Sequence, residues 1–428
     1  MTPVTVMERI SRSRQTVLMS APIWALLLCG LAHCTAACAD PGADFYDVTY
    51  TGTFVPDTGG VRMQIDIRQS SGQLRELNLA APSARYANFV GDGKVTRKGA
   101  RLIWRVPAAG GALRYEVAVD KRRNGEHFDA RMTAEWALLR LDDLVPPARV
   151  SARRGAMARA NLYLEGPAGW AVETPYGPMR NGPIDFQIAD RRFDRPVGWA
   201  MAGKLGIRRD LIAGRQVAVA APSGSKYPRL PTLAFLHWTL PALIDVFPQF
   251  PDQLLIVSAF DDMWRGALSG PNSLYLHGDR PMISENSTSP LLHELIHVGT
   301  RMSSDTDDWI VEGLAEYYSL EILRRSGGLS QARFEQALRS LAMWVESQSG
   351  GLQHPSSGPH TAYAALLFHN LNGELTAAGT SLDAVVNLML AQRARVKVSR
   401  QALERSAQRA LGQPSEVLRA APATQSLR

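Results

Sequence analysis

The stretch of this 428-residue chain best equipped for chemistry is His293-Glu294-Leu295-Ile296-His297. Residues four apart on a helix share a face, so both imidazoles project the same way. Two neutral imidazoles at that spacing can hold one zinc ion at about 2.0–2.1 Å each. Glu294 is offset by about a hundred degrees. That sets it beside the open coordination position, where it can take a proton from a water on the metal. Ser289-Pro290 supplies a cap and a residue tolerated at the first helical position. Leu291, Leu292, Leu295, Ile296 and Val298 make the remainder apolar, as expected of a helix buried in an enzyme core. The competing reading is an amphipathic helix that carries two His and a Glu without purpose.

A second helix is expected from Asp307 to Tyr318, with Asp308 as its cap. Catalytic zinc takes three protein ligands and one open position, and two His with one Glu is an established set. Glu312 and Glu316 lie a turn apart on one face of this helix, so geometry alone leaves both available as third ligand.

Trp309-Ile310-Val311-Glu312-Gly313, with Tyr317 five positions beyond the Glu, resembles the gluzincin metallopeptidases. In that group a Trp-x-x-Glu-Gly stretch after the zinc-binding helix gives the third ligand, which implies Glu312. Aminopeptidase N relatives place eighteen residues between the second His and the ligand Glu. That count lands here on Glu316, whereas Glu312 follows after fourteen. Local context survives loop shortening and a raw count does not, so Glu312 is preferred. Glu316 then orients a ligand His or is a plain surface Glu. The same resemblance implies that Tyr363, near the start of a later helix, donates a hydrogen bond to the tetrahedral intermediate, although Ala364-Ala365 stands where Lys-Gly usually follows. His360, one turn earlier, is a second candidate for that task.

The order of parts is also similar to the glycyl aminopeptidase and aminopeptidase N families. Their Gly-x-Met-Glu-Asn strand, which binds a substrate's free amine, has only Met282-Ile283-Ser284-Glu285-Asn286 as a counterpart, close to His293. Exopeptidase and endopeptidase action therefore both stay open. His277 and Glu285 could line a cleft, but a solvated loop is the expected state of both.

These residues need a scaffold, and the composition supplies one. Apolar residues make up 45% and charged residues 20%, ordinary for a globular protein of two or three domains. From Tyr46 to about Val150, period-two runs such as Val61–Ile67 and Ala112–Val119 alternate with Gly, Pro and Asp. That pattern predicts an antiparallel β sandwich. A second β-rich stretch runs from roughly Asn161 to Val219. After Pro228 the pattern predicts a helix broken at Pro241, a buried strand from Gln253 to Phe260 and a short strand from Asn272 to His277. From Ser289 to Gly412 the period is helical. The expected fold is α+β: a β-rich region over 40–225, with a division near 155 left open, a thermolysin-like zinc-helix domain over 226–350, and a helical region over 351–428.

Residues 1–39 read as a targeting signal. Arg9, Arg12 and Arg14 precede an apolar run from Val17 to Ala32, and Ala37-Cys38-Ala39 offers a cleavage site before Asp40. Thr35 stands where a lipid-attachment signal at Cys38 would need an aliphatic residue. All three cysteines, Cys29, Cys34 and Cys38, lie inside the segment to be removed. The exported chain then has no disulfide, and a metal site must be built from His, Asp and Glu. The net charge of +7 is spread out except near Arg393, Arg395, Lys397, Arg400, Arg405 and Arg409, which reads as a solvated helix face. No nucleic-acid motif is present, and no stable membrane span remains after cleavage. The expectation is a periplasmic or secreted peptidase with one zinc ion per chain, acting on peptide or protein substrates. A zinc-containing envelope assembly factor and a zinc hydrolase of a non-peptide substrate are the alternatives.

Overall fold

The computed structural model describes residues 44–180, 182–186, 193–391 and 396–426. The targeting segment, the three cysteines, Arg393 and Arg395 lie outside the described residues. Alternation along Gly60–Arg68 is complete: Val61, Met63, Ile65 and Ile67 are buried and the residues between them are not. Such strands need one covered face. Six form one sheet, in the order Ile184–Phe186, Ala156–Glu165, Asp44–Val55, Gly60–Arg68, Gly110–Ala118 and Tyr86–Gly91. Three further strands of the following stretch, Ala171–Thr174, Gly177–Pro178 and Trp199–Gly203, join Trp136–Arg140, His127–Met132 and Lys121–Asn124 in a second. A third, four-stranded sheet runs Ala148–Ala152, Leu74–Ala80, Arg101–Arg105, Lys94–Lys98. Pairing is largely antiparallel, as expected, with one exception. Asp44–Val55 and Ala156–Glu165 run parallel over ten residue pairs.

The strands Leu205–Ile212 and Arg215–Pro222, assigned from sequence to the β-rich region, sit elsewhere. Arg215–Pro222 pairs in parallel with Gln253–Val257, so the hairpin opens the sheet of the following half. Ser273–Leu276 and the antiparallel edge strand Ala267–Gly270 complete that sheet. Its central strand is apolar from Leu254 to Val257 because both faces are covered. Leu254 and Ile256 join the core beneath the helices, whereas Leu255 and Val257 meet Leu138, Trp199 and Met201 of the second sheet.

Eight helices are found among the described residues. Helix α1, Arg229–Val246, passes unbroken through Pro241. Pro241 and His237 are both exposed, so water can satisfy the carbonyl that the proline leaves without a donor. The site is carried by α2 (Pro290–Thr300), α3 (Asp308–Arg325) and α5 (Pro359–Ala377), with α4 (Gln331–Ser347) packed against α5. Helices α6 (Leu382–Leu390), α7 (Arg400–Leu411) and α8 (Glu416–Ala420) close the helical end. Each of these three starts at a serine whose hydroxyl accepts a backbone N–H of the first turn. No described helix is long and apolar enough to cross a membrane.

Candidate metal centre

Helix α2 lies beside the edge strand Ala267–Gly270. Ser289 Oγ accepts from Leu292 N at 3.2 Å, and Pro290 is the first helical residue. Leu291, Leu292, Leu295 and Ile296 are buried, which turns His293, Glu294 and His297 toward the partly open side. Arg301 ends the helix in the left-handed region, at φ 49°, and donates to Asn272 Oδ1 at 2.8 Å.

The Trp-x-x-Glu-Gly run acts on α3 as a set of positioning contacts. Trp309 is buried, its ring stacked on Phe368 of α5 at 6.0 Å. Its indole N–H lies 3.3 Å from Asp307 Oδ1 and 3.0 Å from Thr424 Oγ1. Gly313 lets α5 come close, since a Cβ there would lie 2.5 Å from that of Ala364. These contacts place Glu312 where α3 crosses α5.

The outcome is a tight convergence of donor atoms. His293 Nε2 and His297 Nε2 lie 3.2 Å apart. Glu312 Oε2 is 3.3 Å from the first, and Glu312 Oε1 is 3.5 Å from the second. A tetrahedral zinc with ligands at about 2.0–2.1 Å separates them by about 3.3–3.4 Å, so the three side chains fit the ion. Among the described residues this is the one group of His, Cys, Asp and Glu able to hold a metal. Glu316 Oε2 sits 3.1 Å from His293 Nδ1, on the opposite side of the ring. A carboxylate there keeps the N–H on Nδ1 and turns the Nε2 lone pair toward the group.

Electrostatics follow the same geometry. Burial opposes charge on His293, but hydrogen bonds to Glu312 and Glu316 outweigh it and raise its pKa well above the ordinary histidine range. Burial, then the neighbouring His293, lower that of His297. Burial pushes Glu312 up, yet its bond to His293 and the two imidazole charges hold it below the usual carboxylate range. A proton on His293 Nε2 and a metal ion there exclude one another, so metal binding at this group would be linked to pH.

Tyr363 is partly buried and packs against the helical core, one residue before the Ala364 that abuts Gly313. Among the described residues its phenol has no hydrogen-bond partner. His360 is engaged elsewhere: its Nδ1 lies 2.9 Å from Gly351 O and 3.1 Å from Gly351 N. Glu285 is exposed, in line with a solvated loop. His277 departs from that expectation. It is fully buried at the end of the Ser273–Leu276 strand, edge-on to Phe260, and accepts from Asp279 N at 3.2 Å. Asp308 is not the cap of α3 but its first residue, accepting from Ser356 N at 3.1 Å. Asp307, singled out by nothing in the sequence, is the larger anchor. It accepts from Trp309, from Thr424 Oγ1 at 2.9 Å and from Arg400 N at 3.1 Å, tying α3 to α7 and the chain end.

The sequence matches no protein-family model and no curated protein. Solved structures do match in three dimensions. An aminopeptidase N family protein from Idiomarina loihiensis superposes with a TM-score of 0.62, over 87% of this chain and 72% of that one, at 15% identity. The fold is aminopeptidase N-like. A variant of an M1 zinc metallopeptidase from Deinococcus radiodurans superposes at 0.53, over 88% and 92%, at 17% identity. Both neighbours share this order of parts at the level of the fold, sheets first and helices last, and the metal-capable group of this chain lies on its helices α2 and α3.

Proposed function

We propose that the chain is an exported zinc peptidase in which His293, His297 and Glu312 hold one zinc ion. The catalytic half is read as thermolysin-like. The observation that carries this reading is the convergence of three side chains through four donor atoms, at 3.2, 3.3 and 3.5 Å, with Glu316 behind His293. Zinc bound there would polarise a peptide carbonyl and make water acidic enough to be deprotonated near neutral pH.

The chain's own residues do the rest. Glu294, next to His293 and offset from the face of the two imidazoles, takes the proton of the attacking water and returns it to the leaving nitrogen. The water oxygen joins the carbonyl carbon, and the C–N bond breaks. Tyr363 aims an O–H at the oxygen that becomes negative, where a low-dielectric wall strengthens the bond. Glu316 keeps His293 in the metal-facing tautomer. Peptide or protein substrates follow from this chemistry. Export follows from the signal pattern of residues 1–39 and the absence of cysteine beyond it.

Metal analysis of the purified chain beside its Glu312→Ala and Glu316→Ala variants tests the ligand set. We expect about one zinc per parent chain, near-complete loss in Glu312→Ala and weakened retention in Glu316→Ala. Loss confined to Glu316→Ala would reverse the assignment of the two carboxylates. A parent that binds zinc yet hydrolyses no peptide would leave the zinc-containing, non-proteolytic binding or assembly factor as the better reading.

A further inference from the structure

In the basic run near the chain end, Lys397 pairs with Asp305 at 2.6 Å and Arg400 with Glu404 at 2.9 Å. A different cationic surface lies on the four-stranded sheet of the β half. Register fixes which residues share a face. One face, with Leu77, Leu79, Leu102 and Trp104, is buried in the core. The other is made of three cross-strand rows: Ser151, Glu76, Arg105, Lys94; then Arg149, Asn78, Ile103, Thr96; then Ala80, Arg101, Lys98. It holds five cationic side chains and one carboxylate, an excess of four. Glu76 reaches only Arg105, at 3.4 Å. Arg101 is spent on the neutral Asn78. Lys94, Lys98 and Arg149 are exposed and have no ion-pair partner among the described residues.

We propose that this face docks the protein on an anionic phospholipid bilayer. A flat sheet presenting single cations suits a planar array of phosphates. A nucleic-acid strand would call for a groove with stacking aromatics, and the three rows contain none. The proposal stands independently of the peptidase reading.

The test is partition of the full chain onto phosphatidylcholine vesicles with and without phosphatidylglycerol. The readout is the ratio of the two, because residues 1–43 carry apolar and basic groups of their own. The parent should prefer the anionic vesicles, and the preference should fall as salt is added. Each cation near the surface is worth roughly fivefold. Lys94→Gln, Lys98→Gln and Arg149→Gln together should therefore cut the preference roughly a hundredfold. The triple variant should keep the parent's melting temperature and peptide hydrolysis. A ratio unchanged in the triple variant would overturn the proposal. So would a parent that binds duplex DNA more tightly than anionic vesicles at equal ionic strength.

Discussion

Helix α3 carries two carboxylate clusters of opposite design, one toward each end. At the C-terminal end Glu321 is buried and saturated. Arg324 and Arg325 donate to it at 2.7–2.8 Å, and Arg325 also reaches Asp383, which takes the Tyr318 hydroxyl at 2.8 Å. Charge there is matched within the chain. At the other end, Glu312 faces two imidazoles whose Nε2 atoms point at each other across 3.2 Å. Among the described residues no Lys or Arg pairs with Glu312, whose ionic partners are the two imidazoles. A closed network stabilises; a group of converging lone pairs awaits an ion.

The comparison can be broken from either side. Glu321→Ala removes the carboxylate that Arg324 and Arg325 share, leaving Arg325 with Asp383 alone. The loss of a buried pair costs about 3–5 kcal/mol; with both arginines about a third exposed, about 2 kcal/mol is expected. Denaturant unfolding should report that loss while zinc affinity stays at the parent value. The converse holds for Glu316→Gln. Metal affinity should fall roughly 10–100-fold, seen by competition with a chelator, with the stability of the metal-free chain little changed. If both variants moved both quantities, the division between the two ends of α3 would be lost.

The smallest effect concerns the anchor just before α3. Burial pushes Asp307 up, but the bonds from Arg400 N, Thr424 and Trp309 outweigh it and hold its pKa below the ordinary range. A carboxyl depressed in the fold stabilises above its unfolded pKa, about 4, and the benefit is lost as pH falls through the folded value. Asp307→Asn should therefore cost about 1 kcal/mol near neutral pH. The gap between the two melting temperatures should close in acid. A gap of constant size from neutral to acid pH would remove the carboxylate from this role.

Much of the working half was legible because its signals are local. Ser289-Pro290 and the apolar flanks fix α2, and period two fixes strands such as Gly60–Arg68. The Trp-x-x-Glu-Gly context gained a physical meaning: Trp309 and Gly313 seat α3 on α5, and Glu312 is carried to the imidazoles by that contact. What stayed hidden depends on distant partners. Asp307 looks like its neighbours Asp305 and Asp308 until Thr424 and Arg400 arrive from more than ninety residues away. The parallel partner of Asp44–Val55 comes from beyond residue 155, and no periodicity encodes that. Continuity of Leu254–Val257 showed burial but not that a sheet covers one face and helices the other.

The central claim is that Glu294 moves the proton while zinc stays on His293, His297 and Glu312. Its most direct test is Glu294→Gln, with zinc content and peptide hydrolysis measured on the same preparation. The account predicts zinc at the parent level and a rate lower by roughly 10²–10⁴-fold or more. Hydrolysis at the parent rate with zinc bound would contradict it.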